Sequence, residues 1–499
     1  MAPSKTGLEA TNRASRWQAR APSIQWTALV LAFVASRLFY FRMGVRFDAA
    51  PLDFYIQYVD PALLKSSLLE SIFYLKEQPP AFNLFLGIVL KLVPGDPTPV
   101  FNLIYLLLGL VLSLSLLSLL KRMGVPQVLS FCIAALCTIS PVTVLFENWL
   151  FYAYPVAVLF CLSAVWLHRY VTGGQWLDGI CFFSCLTLIG AIRGTYHLLW
   201  FVLIAGGLIW LLREQRRRIV IAMSLPAVLM LAMYGKNILL FGNLAFGEVL
   251  QQTNFISMAT DSLDSRVLTE LIREHKISRV FQVADSDLDP KQLTDLIPAR
   301  PRTGIAVLDE FRRASGQWNW NNLSFADIVR LAYKDAQYIF RHYPTIWARH
   351  ILGNFARYFR AADDTYPFNG QSRNALLLHP MLEFYDRITV GQYGRNGVPW
   401  IYLLVLPACV AFGLYQVNPR SLLRFNVKDT AQRARRITLL FMLFNIAYGA
   451  GLTILFSSGD HSRYRAEVSS FYTILFALLA AAVWGRVRSR VLSFGRRVE

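Results

Sequence analysis

The chain has 499 residues, of which 55 % are hydrophobic and 16 % charged. An ordinary soluble chain carries about 25 % charged residues, and the shortfall here is gathered into long apolar runs, which excludes a soluble enzyme. The net charge of +19 comes from 50 Lys+Arg against 31 Asp+Glu. The basic residues cluster beside the apolar runs, so they read as markers of membrane orientation and not as a nucleic-acid footprint.

A helix crossing about 30 Å of hydrocarbon needs roughly 20 apolar residues. On that measure spans are expected at 24–43, 101–120, 127–149, 152–168, 176–193, 195–212, 219–241, 398–417, 437–457 and 467–485. The run 81–93 is marginal in length, and Pro141 after Ser140 divides 127–149 into two half-helices. The expected total is therefore about ten to thirteen membrane helices. The first apolar run begins near Trp26, after Arg13, Arg16 and Arg20, and no small-residue cleavage site follows it. It is expected to remain as an uncleaved first span behind a cytoplasmic tail, 1–23. All six cysteines lie within or near apolar runs, so neither a disulfide framework nor a zinc site is expected.

Positive residues mark cytoplasmic turns. Lys121 and Arg122, His168 and Arg169, Arg213 with Arg216 to Arg218, the basic stretch 420–436, and the tail 486–499 all fit that side. Four regions are then outside: 44–80, the turn near 146–152, the long segment 242–397 and the loop 458–466. The expected order is an N-terminal membrane module, 24–241, with an outer loop at 44–80; an extracytoplasmic domain, 242–397; and C-terminal membrane helices, 398–485. Within 242–397 the apolar residues Leu323, Ile328, Leu331, Ile339, Ile346, Ile351 and Phe355 recur at helical spacing. Pro344 marks a break, and Pro290, Pro298 and Pro301 make 285–303 a loop. The fold class is an all-α polytopic membrane protein with a mainly helical extracytoplasmic domain.

No Walker A loop, HExxH pair, CxxC pair or nucleophile elbow occurs. The outer loop after the first span stands out instead. It carries Asp48, Asp53, Tyr55 and Asp60, then a leucine-rich amphipathic stretch from Ala62 to Leu75 suited to lie along the membrane surface. Glu77-Gln78-Pro79-Pro80 follows, a stiff entry to the next apolar helix. Carboxylates at a membrane surface suit a general base; solvated loop carboxylates and helix caps are the plainer reading. Arg463 and Arg465 stand at an outer span end against the positive-inside trend, and Lys236 and Arg193 are placed alike. Such residues suit an anionic ligand, and snorkelling to lipid headgroups is the alternative. Glu147 suits orientation of a substrate or a structural ion pair.

Three other clusters read as structural. Asp285, Asp287 and Asp289 form a DxD-like pattern in a Pro-flanked loop, where a solvated acidic turn is the simpler reading, and Asp363-Asp364 is a similar loop feature. Trp318, Trp320, Asn319, Asn321 and Asn322 read as an aromatic anchor for the outer domain rather than a sugar platform.

The order of these pieces resembles the GT-C glycosyltransferases that use polyprenyl-phosphate sugars, a group that includes protein O-mannosyltransferases and the lipid A aminoarabinose transferase. The resemblance rests on a first span, an acidic outer loop with surface helices, and Gln78-Pro79-Pro80-Ala81-Phe82-Asn83 opening a helix. It also rests on Glu147 to Tyr152, on Lys236-Asn237 to Gly242, and on Asp460 to Arg465 opening the last span. It covers 24–241 and 398–485, and the family's frequent Asp-Glu pair is absent. The resemblance implies a sugar donor held in an outer groove, with Asp60 or Asp53 as base and Asp48 third. Arg463, Arg465, Lys236 and Arg193 would hold the donor phosphate, and Tyr55, Gln78, Glu147 and Tyr152 would line the substrate site. No metal or other cofactor is required beyond the lipid-linked donor. The expected partners are membrane lipids, that donor, and a glycan, lipid or protein acceptor, with no nucleic acid. The setting it suits is a bacterial inner membrane with the site facing the periplasm. A transporter of lipid-linked sugars is the main alternative, but it should carry mid-bilayer charges or inverted repeats, and few charges and no repeat occur here. A non-catalytic scaffold leaves the acidic loop and outward arginines without a purpose.

Overall fold

The structure is a computed structural model that describes residues 5–260, 262–283, 300–362, 365–394, 397–418, 429–459 and 461–498, with side chains between Ile24 and Ser489. Asp285, Asp287, Asp289, Asp363, Asp364 and Asp460 lie outside the described residues. Helices dominate, and among the described residues there is no strand, only isolated bridges. The protein is an all-α multi-pass membrane protein. Seven helices are long and apolar enough to cross: Ile24–Arg42, Thr98–Arg122, Ala153–Gly173, Arg213–Phe241, Trp400–Val417, Thr430–Phe456 and Ser469–Ser489. Gln127–Ile139 and Pro141–Glu147 form an eighth as a pair bent by 55°. Three further apolar helices are shorter: Pro80–Leu92, Trp176–Ile192 and Leu198–Leu211. Pro80–Leu92 matches the marginal run 81–93, and Trp176–Ile192 ends one residue short of the expected 176–193. Leu198–Leu211 falls short of the span expected at 195–212, since at about 1.5 Å per residue a 14-residue helix reaches roughly 21 Å, less than the hydrocarbon thickness.

Ala153–Gly173 is the central helix, packed against Thr98–Arg122, Trp176–Ile192 and Thr430–Phe456. The bend at Pro141 frees carbonyls that hydrocarbon cannot solvate. The first span supplies their partners: Arg37 donates to the Thr138 oxygen at 2.5 Å and the Tyr40 hydroxyl to the Ile139 oxygen at 2.9 Å. Arg37 also forms a two-point ion pair with Glu147, at 2.8 and 2.6 Å, and the Tyr154 hydroxyl donates to the same carboxylate. Gly109 makes room for it, because a Cβ there would fall on the Glu147 carboxylate.

The basic turns gather at one end of the bundle. Arg433 pairs with Glu214 and donates to the Leu211 oxygen, Arg169 pairs with Asp178, and Lys121 lies over Trp26. The acidic loop packs at the other end. The amphipathic stretch 62–75 is not one helix: Pro61–Ser66 and Leu68–Phe73 are separated at Ser67, with Leu64, Leu68 and Leu75 buried. Segment 242–397 divides by its packing. Glu248–Thr260 and Leu323–His342 share their own core around Ile256, Phe281, Val329 and Ala336. Beyond the expected break at Pro344, Pro344–Phe359 packs on Thr430–Phe456, and Arg373–Thr389 packs on Pro141–Glu147.

Candidate functional site

The acidic loop is positioned by two neighbours. On one side it pairs as a short parallel bridge: the Asp48 amide donates to the Asn148 oxygen at 2.8 Å and the Leu150 amide to the Asp48 oxygen at 2.9 Å. On the other side the buried Arg313 guanidinium, 4 % exposed, donates to the backbone oxygens of Leu52, Asp53, Tyr55 and Tyr58. Burial pushes Arg313 below its ordinary value, and the nearby Asp60 and Asp53 oppose that shift. Four carbonyls around one guanidinium turn a flexible loop into a fixed one, since each is a charge-assisted bond.

The three loop carboxylates differ in their engagement. Asp60 caps Pro61–Ser66 through the Ala62 amide, and its other oxygen accepts from the Ala314 amide at 2.5 Å. It is therefore committed to structure at both oxygens. The Asp53 carboxylate is exposed and receives no hydrogen bond among the described residues. Asp48 is half-buried; it accepts from the Ala50 amide and lies close to the Tyr366 hydroxyl. Burial and the Asp48 charge push the Tyr366 hydroxyl up to about 12. Tyr366 leans edge-on to Tyr55, whose ring centre lies 4.7 Å from that of Phe151 and 5.8 Å from that of Trp149.

Arginine meets this aromatic wall. The Arg463 guanidinium lies 5.0 Å from the Phe151 ring and 5.9 Å from that of Tyr152. Arg193 lies 5.5 Å from Tyr152 and 4.0 Å from Tyr464. Arg193 pairs with Glu467, which is fully buried and accepts from the Tyr196 hydroxyl at 2.9 Å. Arg463 and Glu467 sit four residues apart on the helix His461–Glu467, hence on one face. The Tyr152 hydroxyl and the Gln78 amide make no hydrogen bond among the described residues, although both residues are more than nine-tenths buried. Neither polar group is among the buried unpaired atoms, so both open to solvent or a ligand. Gln78 directly precedes the helix Pro80–Leu92, whose Phe82 packs edge-on to Tyr152.

The structure therefore brings Tyr55, Tyr152, Arg193 and Arg463 together, with Asp48 joined to them through Tyr366. Other expected residues are used elsewhere. Arg465 does not accompany Arg463: it points to the other side of the short helix and donates to the backbone oxygens of Tyr358 and Arg360. Lys236 donates to the oxygens of Phe73 and Leu75 at 3.0 and 2.7 Å, closing the C-terminus of Leu68–Phe73. Glu147 takes the structural of its two readings, as the partner of Arg37. The tryptophan–asparagine cluster is an anchor as expected. Trp318 stacks on Phe325, Asn321 accepts from the Glu77 amide, and Asn322 caps Leu323–His342.

Sequence reading missed Arg313, Tyr366, Glu467 and Glu77. Glu77 binds Lys76 and the Val249 amide, so it ties the first outer loop to the outer segment. Glu467 had a signal, since it repeats at four residues from Arg463 just inside an apolar run; Arg313 had none, because its partners lie 255 to 261 residues away. A small open cleft of about 70 Å³ lies where Asp60 and Leu63 face Glu310, Arg312 and Arg313. Among the described residues no group of three His, Cys, Asp or Glu could hold a metal ion. Comparison with known proteins gives no matching family model, no matching curated protein and no matching solved structure.

Proposed function

We propose that the protein is a GT-C-type membrane glycosyltransferase that moves a sugar from a polyprenyl-phosphate donor to an acceptor hydroxyl on the outer face of a membrane. The observation that carries this reading is the buried pair Arg193 and Arg463 flanking Tyr152, at the same end of the bundle as the acidic loop. A phosphodiester donor bears one negative charge, which guanidinium groups suit by charge and by hydrogen-bonding shape. As the anomeric bond breaks, a second negative charge develops on the departing polyprenyl phosphate, and preformed guanidinium groups stabilise it without reorganisation.

Asp48 is the base in this reading, with Asp53 second. The carboxylate takes the proton of the acceptor hydroxyl, the acceptor oxygen bonds to the anomeric carbon, and the sugar–phosphate oxygen bond breaks. Polyprenyl phosphate leaves with the electron pair. Asp60 is set aside because both of its oxygens already accept backbone amides. The aromatic wall of Tyr55, Phe151 and Tyr152 offers ring faces for a sugar. A bacterial inner membrane, with the site facing the periplasm, supplies such donors.

The test is sugar transfer by the purified protein in lipid, given a panel of radiolabelled polyprenyl-phosphate sugars and a membrane extract as acceptor source. Transfer by wild type that is lost in Arg463→Ala and in Asp48→Asn supports the reading. Donor transport across the bilayer without transfer, unchanged in Asp48→Asn, replaces the enzyme with a transporter.

A further inference from the structure

Arg373–Thr389 belongs by composition to the outer domain, yet it is apolar on two faces. Ala375, Leu378 and Leu382 are buried, and Leu378 and Leu382 join Tyr40 and Leu145 in one cluster. Tyr40 is in the last turns of the first span, and Leu145 is in the half-helix Pro141–Glu147. Asn374 is fixed to the backbone of Arg46, just beyond the first span, by bonds of 3.1 and 2.7 Å. At its other end the helix meets the start of the span Trp400–Val417, with the Ile401 amide donating to the Val390 oxygen at 3.1 Å. The whole helix is therefore held at the level where the spans leave the bilayer.

Its second face is left exposed among the described residues. Leu376, Pro380, Phe384 and Ile388 follow one another at four-residue spacing, so they form one stripe. Leu376, Phe384 and Ile388 are 61 %, 65 % and 57 % exposed. Beside the stripe, Tyr393 and Trp400 are exposed at the start of the next span, and Arg373 and Arg387 are exposed near the helix ends. Tryptophan and tyrosine at a span end, with basic residues around an apolar stripe, form the pattern of the membrane–water interface.

We infer that Arg373–Thr389 is an interfacial helix whose Leu376–Phe384–Ile388 stripe lies among the acyl chains of the outer leaflet. Continuity with the lipid-facing surface of Trp400–Val417, whose first turn is bonded to the helix end through Ile401 and Val390, argues for lipid over a protein partner. This inference does not depend on the proposed activity.

Benzophenone-bearing phenylalanine placed at Phe384, and separately at Ile388, in the full chain tests it. The protein is reconstituted in phosphatidylethanolamine–phosphatidylglycerol vesicles and irradiated, and adducts are read by mass. Leu229, exposed on a span, is the lipid-facing reference, and Gln317, exposed in the outer segment, is the water-facing one. Lipid adducts at 384 and 388 within about threefold of the yield at 229, and at least tenfold above that at 317, are expected. Yields equal to those at 317, or adducts to a second copy of the chain in place of lipid, overturn the inference.

Discussion

The Arg313 guanidinium donates to the backbone oxygen of Tyr55 at 2.6 Å, although the two residues are 258 positions apart. With three further carbonyls on the same group, the outer segment fixes the loop that carries Asp48, Asp53 and Asp60. A single buried cation among carbonyls is costly to remove, because each oxygen loses a charge-assisted bond and water must enter to replace it.

Arg313→Ala is expected to lower stability by about 3 kcal/mol and to open 52–58 to proteolysis. Arg313→Lys should recover only part of this, because an ammonium lacks the planar fork that reaches four oxygens. Thermal unfolding in detergent and limited proteolysis measure both. Unchanged melting and cleavage in Arg313→Ala would show that the loop holds itself.

In the proposed reading Asp48 stands ahead of Asp60 and Asp53, the bases that the resemblance implies first. Asp48→Asn should reduce transfer by about 100-fold or more, the usual scale for losing a general base. Asp60→Asn keeps an oxygen for the cap and should retain most activity, while Asp60→Ala costs about 1 kcal/mol of stability. Parallel transfer rates and melting curves separate the two effects; a larger activity loss in Asp60→Asn than in Asp48→Asn would restore Asp60 as base.

Glu147 and Arg37 form a buried pair with side chains 1 % and 9 % exposed. Removing either partner alone leaves a buried charge and should cost about 3–5 kcal/mol. Glu147→Leu combined with Arg37→Met should cost less than either single change, because no charge is stranded. Melting temperatures of the two singles and the double give the coupling directly. Additive losses would mean the two groups do not act as a pair.

In the outer core, burial raises the Asp335 carboxyl above its ordinary 3.8, while hydrogen bonds from Ser278 act the other way. A carboxyl whose folded value is raised contributes stability that is complete below the unfolded value and is lost as pH rises through the folded one. Asp335→Asn removes this loss, so the variant's melting temperature relative to wild type should climb between about pH 4 and pH 7. A relative melting temperature that falls over that range would contradict the assignment.

Much of the fold was legible because apolar runs and basic turns are local signals. The breaks at Pro141 and Pro344 were legible too, since proline stops a helix wherever it stands. The length of Leu198–Leu211 was not: the run 195–212 reads as a full span, but the helix begins only after His197 caps it. Nor was the division of 242–397, because Arg373–Thr389 carries enough polar residues to pass for a soluble helix while one of its apolar faces packs on Pro141–Glu147. At the site, Arg193 and Arg463 were legible as cations on the wrong side. Arg465 looked identical to Arg463, and only helix geometry sends it to the carbonyls of Tyr358 and Arg360. Lys236 likewise serves a helix end, a partner that no spacing in the sequence announces.

The central claim is group transfer from a lipid phosphodiester, and phosphorus NMR of purified protein in lipid with donor and acceptor tests it most directly. The account predicts that the donor phosphodiester resonance is replaced by that of a polyprenyl phosphomonoester, one for each glycoside formed, and that Arg463→Ala and Asp48→Asn both abolish the conversion. A phosphodiester that persists while labelled sugar crosses the bilayer, or a conversion untouched by both substitutions, would contradict it.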